Sequence, residues 1–225
     1  MNVIAVIAKK DLLIEWRTRT LMARVVPFAL LVLVMFAVAL DSEPLLLRAA
    51  AGLVWLALLF STMLVVQRSF DVETQDGVLD TLLACANPSR VFFGKATALF
   101  VQLFALGVVL VVGAVVLYGV AISGDRVVLL VTVVVSATGG LAVVGTLYGA
   151  VVANLIGRDS LLPLLVLPVL APLLIAASRS TEAAFGSNTI DVANGWAWVG
   201  VLVVYAVVFG SAGALAFAPL TESDA

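Results

Sequence analysis

The sequence contains no histidine and a single cysteine, Cys85. The first absence removes the commonest general base, the commonest zinc ligand and the commonest axial ligand of haem iron. The second excludes an intrachain disulfide framework and any metal site built from several thiolates. Charge is scarce: 12 Lys and Arg against 14 Asp and Glu in 225 residues, a net of −2. With a pI near 5.0 the chain has no basic surface for nucleic acid. A phosphate-cradling loop of the Walker type is missing as well. Ser89 stands where its first glycine belongs, five residues before Gly94-Lys95, and Ala96 follows the lysine. If ATP powers this protein, another chain hydrolyses it.

What the sequence does have is apolar surface. Hydrophobic residues make up 64% and charged residues 12%, against roughly 45–50% and about 25% in soluble domains. The mean hydropathy is +1.23, and no single water-soluble core hides that excess. Long Leu, Val and Ala runs, without alternating polar positions, predict an all-α integral membrane protein and exclude a transmembrane β-barrel. About 20 apolar residues cross the ~30 Å hydrocarbon layer. Runs of that kind predict six transmembrane helices at about 21–40, 49–66, 96–122, 127–153, 161–177 and 196–220, in one permease-like domain over 1–225.

The Lys and Arg placement orients the spans. Lys9, Lys10, Arg17, Arg19, Arg24, Arg68, Arg90, Lys95 and Arg158 lie on one side, and Arg48, Arg126 and Arg179 on the other, nine against three. Both termini and the 67–95 loop are therefore expected in the cytoplasm, and the protein in the cell (inner) membrane. Residues 2–20 are expected to form a helix in the cytoplasmic lipid interface, with Val3, Val6, Ile7, Leu13 and Ile14 on one stripe and Ala8, Asp11, Glu15 and Arg19 opposite; the alternative is the cytosolic start of a long first helix. Lys10 and Arg17 interrupt the stripe and snorkel. The outward connections, 41–48, 123–126 and 178–195, are short; Trp196 and Trp198 follow the last one, at the level where indoles anchor.

One loop stands out. In 67–95, Val78, Leu79, Leu82 and Leu83 share a face of a short helix, and Asp76, Asp80 and Thr81 occupy the others. Asn87-Pro88 then starts a new helix, asparagine as N-cap and proline at N1. Such an amphipathic helix can simply lie on lipid. Its acidic side chains, with Asp71 and Glu73 nearby, oppose an anionic leaflet and suit the basic groove of a cytosolic protein.

The run Gln75-Asp76-Gly77-x-Leu79-Asp80-x-Leu82-Leu83 resembles the coupling-helix region of ABC-2-type permeases. More specifically, the chain resembles the CcmB family, the haem exporter B permeases of the cytochrome c maturation ABC transporter. Gly52-Leu53-Val54-Trp55 through Arg68-x-Phe70, the 75–83 run, and Leu161-Leu162-Pro163 through Pro172-Leu173-Leu174 carry the likeness. The pattern departs at Cys85-Ala86-Asn87-Pro88, after the coupling helix. The resemblance implies a homodimeric permease with no cofactor of its own, served by a cytosolic ABC ATPase of the CcmA type that binds the ATP. It also implies CcmC- and CcmD-like membrane partners and a CcmE-like haem chaperone, with haem as a substrate. Glu73, Gln75, Asp76, Gly77, Leu79, Asp80, Leu82 and Leu83 would form the ATPase-coupling contact. Two alternatives stand beside transport of haem. One is a non-transporting scaffold that couples ATP hydrolysis to release of the haem chaperone. The other is an ABC-2 permease for a lipid or drug.

Three further features invite a role. Pro163, Pro168 and Pro172 within one span predict a hinge, a re-entrant segment or a static kink. Gly145 and Gly149 form a GxxxG pair, and Gly210 lies between Ala206 and Ala214; both patterns permit close helix packing. The polar residues of the spans, Ser61, Thr62, Gln102, Ser136, Thr138 and Asn154, are scattered, and no proton or ion pathway is expected from them. Membrane lipid is the remaining expected partner.

Overall fold

A computed structural model describes residues 3–19, 21–40, 42–75, 87–120, 122–153, 158–186 and 191–221. Apart from one π-helical turn, the elements in it are α-helices: α1 (Val3–Thr18), α2 (Val26–Ala39), α3 (Glu43–Gln75), α4 (Pro88–Tyr118), α5 (Gly124–Ala153), α6 (Arg158–Phe185) and α7 (Val192–Thr221). Helices α3 to α7 are each long and apolar enough to cross a membrane; α1 and α2 together make a sixth candidate, bent by 54°. The chain is an all-α, multi-pass membrane protein. From α2 onward the helices alternate in direction, so α3 leads towards the end where 76–86 departs, here the loop end, and α4 returns from it.

The bend between α1 and α2 has a local cause. Arg19 adopts φ 52°, a left-handed conformation that interrupts the helix, and Leu21–Val25 continue as the π-helical turn. The Glu15 carboxylate accepts from the Leu21 N–H, and Ala23 N–H reaches Arg19 O at 2.8 Å. Pro27 at the start of α2 needs no N–H partner there. Helix α4 begins as its sequence predicts: the Asn87 side chain accepts from Ser89 N–H at 3.0 Å and Pro88 occupies the first turn. It ends on Gly119 at φ 66°.

The helices run past several expected boundaries. Helix α3 begins at Glu43 and continues to Gln75, so the 41–48 connection is shorter than expected and 67–75 is helical, not loop. Helix α6 continues to Phe185, so the first half of the expected 178–195 connection is helix. The reason is polar satisfaction. Ser180 and Thr181 are fully buried; Ser180 Oγ donates to Gly195 O at 2.9 Å, and Trp55 Nε1 donates to Thr181 Oγ1 at 2.8 Å. Staying helical satisfies the backbone while those hydroxyls meet neighbours. Pro163, Pro168 and Pro172 all lie inside α6, which runs through them as one element.

Packing sets the order of the helices from centre to rim. In α3, 72% of the most apolar stretch is buried in the protein, against 22% in α7, so α3 is enclosed and α7 offers most of its length to lipid. Fully buried Trp55, Leu58, Phe92, Leu103, Leu106 and Phe217 join the helices in one core.

Candidate functional site

The loop end is where α1, α3, α4 and α7 meet. Gly94 of α4 lets α1 approach: a Cβ there would stand 2.8 Å from Ile7 Cβ. One turn away along α1 is Asp11. Its carboxylate sits 3.1 Å from Lys10 Nζ and 3.9 Å from Lys95 Nζ. The Lys95 side chain is wholly buried, and its ammonium lies 4.5 Å from the centroid of the Phe70 ring on α3. A fourth helix braces the same turns of α4: Ser89 Oγ donates to Ala214 O at 2.8 Å, and the Phe92 and Phe217 rings are 5.6 Å apart. The first turns of α4 are thus held from three sides.

Helix α1 turns a different side inward than its stripe predicts. Ile7 and Ala8 are buried, whereas Val6 and Leu13 are nearly half exposed and Trp16 is open. The expected apolar stripe is therefore split, and Asp11, placed on the polar face, turns towards the bundle. The buried ammonium of Lys95 is the cause, because a cation removed from water needs an anion and aromatic electron density. Asp11 also borders a cavity of about 50 Å³ with Glu15, Thr18, Arg68, Ser69 and Gln102, polar and roomy enough for water.

Of the expected coupling residues, Glu73 and Gln75 fall in the last turn of α3. Asp76, Gly77, Leu79, Asp80, Leu82 and Leu83 lie outside the described residues. The glycine patterns fall at helix contacts within the chain. A Cβ on Gly145 would meet Val66 Cγ2 at 2.7 Å, and one on Gly149 would collide with the Phe70 ring, so both let α5 close on α3. Gly210 faces α5 loosely, with Val143 Cγ1 at 4.0 Å. The scattered hydroxyls are satisfied along their own helices. Ser61, Thr62, Thr138 and Thr146 donate to carbonyls four residues back, at 2.6–2.8 Å. Asn154 lies outside the described residues.

At the far end, a groove of about 520 Å³ opens between α3 and α6. Trp55, Leu56, Leu174 and Ile175 form its apolar walls, and Arg179 and Glu182, 3.3 Å apart, stand at its rim. Sequence reasoning missed both this groove and the Lys95–Asp11 contact. Lys95 reads as one more charge at a membrane boundary, and only Asp11, far away in sequence on α1, explains its burial.

A multi-pass helical bundle braced where α1, α3, α4 and α7 meet defines the class: a polytopic membrane protein built around a helix-lined junction. The CcmB protein family matches residues 1–219, and the chain belongs to that family. It is 31% identical over 181 residues to heme exporter protein B of Haemophilus influenzae, covering 79% of this chain and 80% of that protein. It is also 34% identical over 83 residues to heme exporter protein B of Escherichia coli K12, covering 36% of this chain and 38% of that one.

Proposed function

We propose that this chain is the permease subunit of an ABC transporter that handles haem for c-type cytochrome maturation, driven by a separate cytosolic ATPase. It is not itself an enzyme. The observation that carries the reading is the loop end. Helix α3 runs unbroken to Gln75 and α4 starts at Pro88 with its first turns braced, so the two helices flank 76–86. A rigid mount suits a contact through which force enters from another protein. The names of its relatives, heme exporter protein B, support haem as the substrate. The nine-to-three placement of Lys and Arg supports termini and loop in the cytoplasm, with the protein in the inner membrane.

In this reading Glu73, Gln75, Asp76, Gly77, Leu79, Asp80, Leu82 and Leu83 contact a CcmA-like ATPase, which binds the ATP. CcmC- and CcmD-like proteins and a CcmE-like chaperone act with a permease homodimer. The groove between α3 and α6 offers an apolar wall that suits a flat hydrophobic ring, with the Arg179–Glu182 ion pair at its rim. A second reading, in which the chain transmits ATPase strokes to release the haem chaperone without passing haem, draws on one observation. The chain has no histidine to hold the iron in transit.

The test is the double charge reversal Asp76→Lys with Asp80→Lys, expressed with the ATPase in a strain that lacks its own copy. Exposed charge pairs are worth little singly, so two are reversed together. Insertion is expected to be normal, with loss of ATPase co-purification and of cytochrome c maturation. Normal co-purification and maturation would overturn the assignment.

A further inference from the structure

Among the described residues, Lys95 is the one ionisable side chain in the fully buried set. Burying an ammonium carries a desolvation penalty even after relaxation, and methionine would fill the same space without it. The bundle therefore keeps a charge where stability does not ask for one. Its contacts explain the choice. Lys95 stands two turns into α4, Phe70 five residues before the end of α3, and Asp11 in the middle of α1. One ammonium on α4 reaches both α1 and α3, close to the helix ends that flank 76–86.

Apolar contacts alone would hold these helices together without setting their register. Ile7 rides over Gly94, a position with no side chain to block sliding, and apolar packing is non-directional. An ion pair weakens as its partners separate, so two fixed charges have one favourable position along each helix, the best-attested use of a buried polar contact.

We propose that Lys95 is a positioning residue for the 76–86 loop: through Asp11 and the Phe70 ring it sets the register of α1 and of the two helix ends that carry the loop. This rests on the reading of that loop as the ATPase contact. The clamp itself is a property of this chain alone.

The experiment uses the full chain with Cys85→Ser and two spin labels, at Leu13→Cys on α1 and Phe93→Cys on α4, both on exposed positions. The comparison is between the native pair and the double variant Lys95→Met with Asp11→Leu. Replacing both partners by apolar groups avoids a lone buried charge, so this variant is expected to fold. Thermal stability in detergent is measured on the same samples. With the native pair a single narrow distance distribution is expected; in the double variant it broadens or shifts while the melting temperature holds. Stimulation of the co-purified ATPase then falls to the level of the ATPase alone. An unchanged distance distribution in the double variant overturns the clamp. A changed distribution with full ATPase stimulation overturns its role in positioning the loop. Failure of the unmutated chain to capture any ATPase sinks the proposed function instead, and leaves the distance result to judge the clamp.

Discussion

Trp55 on α3 and Thr181 on α6, 126 positions apart in sequence, share a buried hydrogen bond in which the indole N–H donates to the threonine hydroxyl at 2.8 Å. It pins the far ends of two helices beside the groove. Leaving a buried N–H without an acceptor costs about 1–3 kcal/mol. Thr181→Val, nearly the same shape, is therefore expected to lower the melting temperature in detergent, and Thr181→Ser to retain it. Equal melting of the Val and Ser variants would show that the bond contributes nothing.

The two glycine patterns should respond differently to added bulk. Gly149→Val drives a side chain into Phe70, and overpacking of that kind costs roughly 1–3 kcal/mol. Gly210→Ala places its methyl at ordinary contact distance from Val143. Expression and thermal stability should drop for the first and hold for the second. A stable Gly149→Val protein would mean that α5 and α3 are not in the close contact described.

Orientation is checked with the single thiol. Cys85 lies outside the described residues, in the segment read as cytoplasmic from the distribution of Lys and Arg. A membrane-impermeant maleimide should label it in inverted vesicles and not in intact spheroplasts. Labelling from the outside would reverse the topology and remove the basis for an ATPase contact at the loop end.

Haem added to the purified chain, without partners, should give only a broad, detergent-like absorption spectrum. The chain has no histidine, and its other ligand types are Cys85, the methionines Met1, Met22, Met35 and Met63, and the tyrosines Tyr118, Tyr148 and Tyr205. Tyr118 and Tyr205 hydroxyls already donate to Leu33 O at 3.0 Å and Val169 O at 2.5 Å. A stoichiometric six-coordinate spectrum, lost on replacing one Met or Tyr, would reveal a site on this chain.

The sequence by itself determined the class of protein, most of the apolar helices and the start of α4. These follow from local rules: the length of an apolar run, and Asn87-Pro88 satisfying a helix start within two residues. It also exposed the small-residue positions Gly145 and Gly149, because missing side chains permit close approach whatever the partner. Tertiary structure alone decided which side of each helix faces inward. Helices apolar all round carry little amphipathic signal, since lipid and protein interior are equally apolar, and periodicity then marks no inner face. It also decided where helices stop. The polar run after Ser178 reads as a connection until Trp55 and Gly195 supply partners for Thr181 and Ser180. The inward turn of Asp11 has the same origin: a buried cation on α4 selects its anion from a distant helix, and no local pattern encodes that choice.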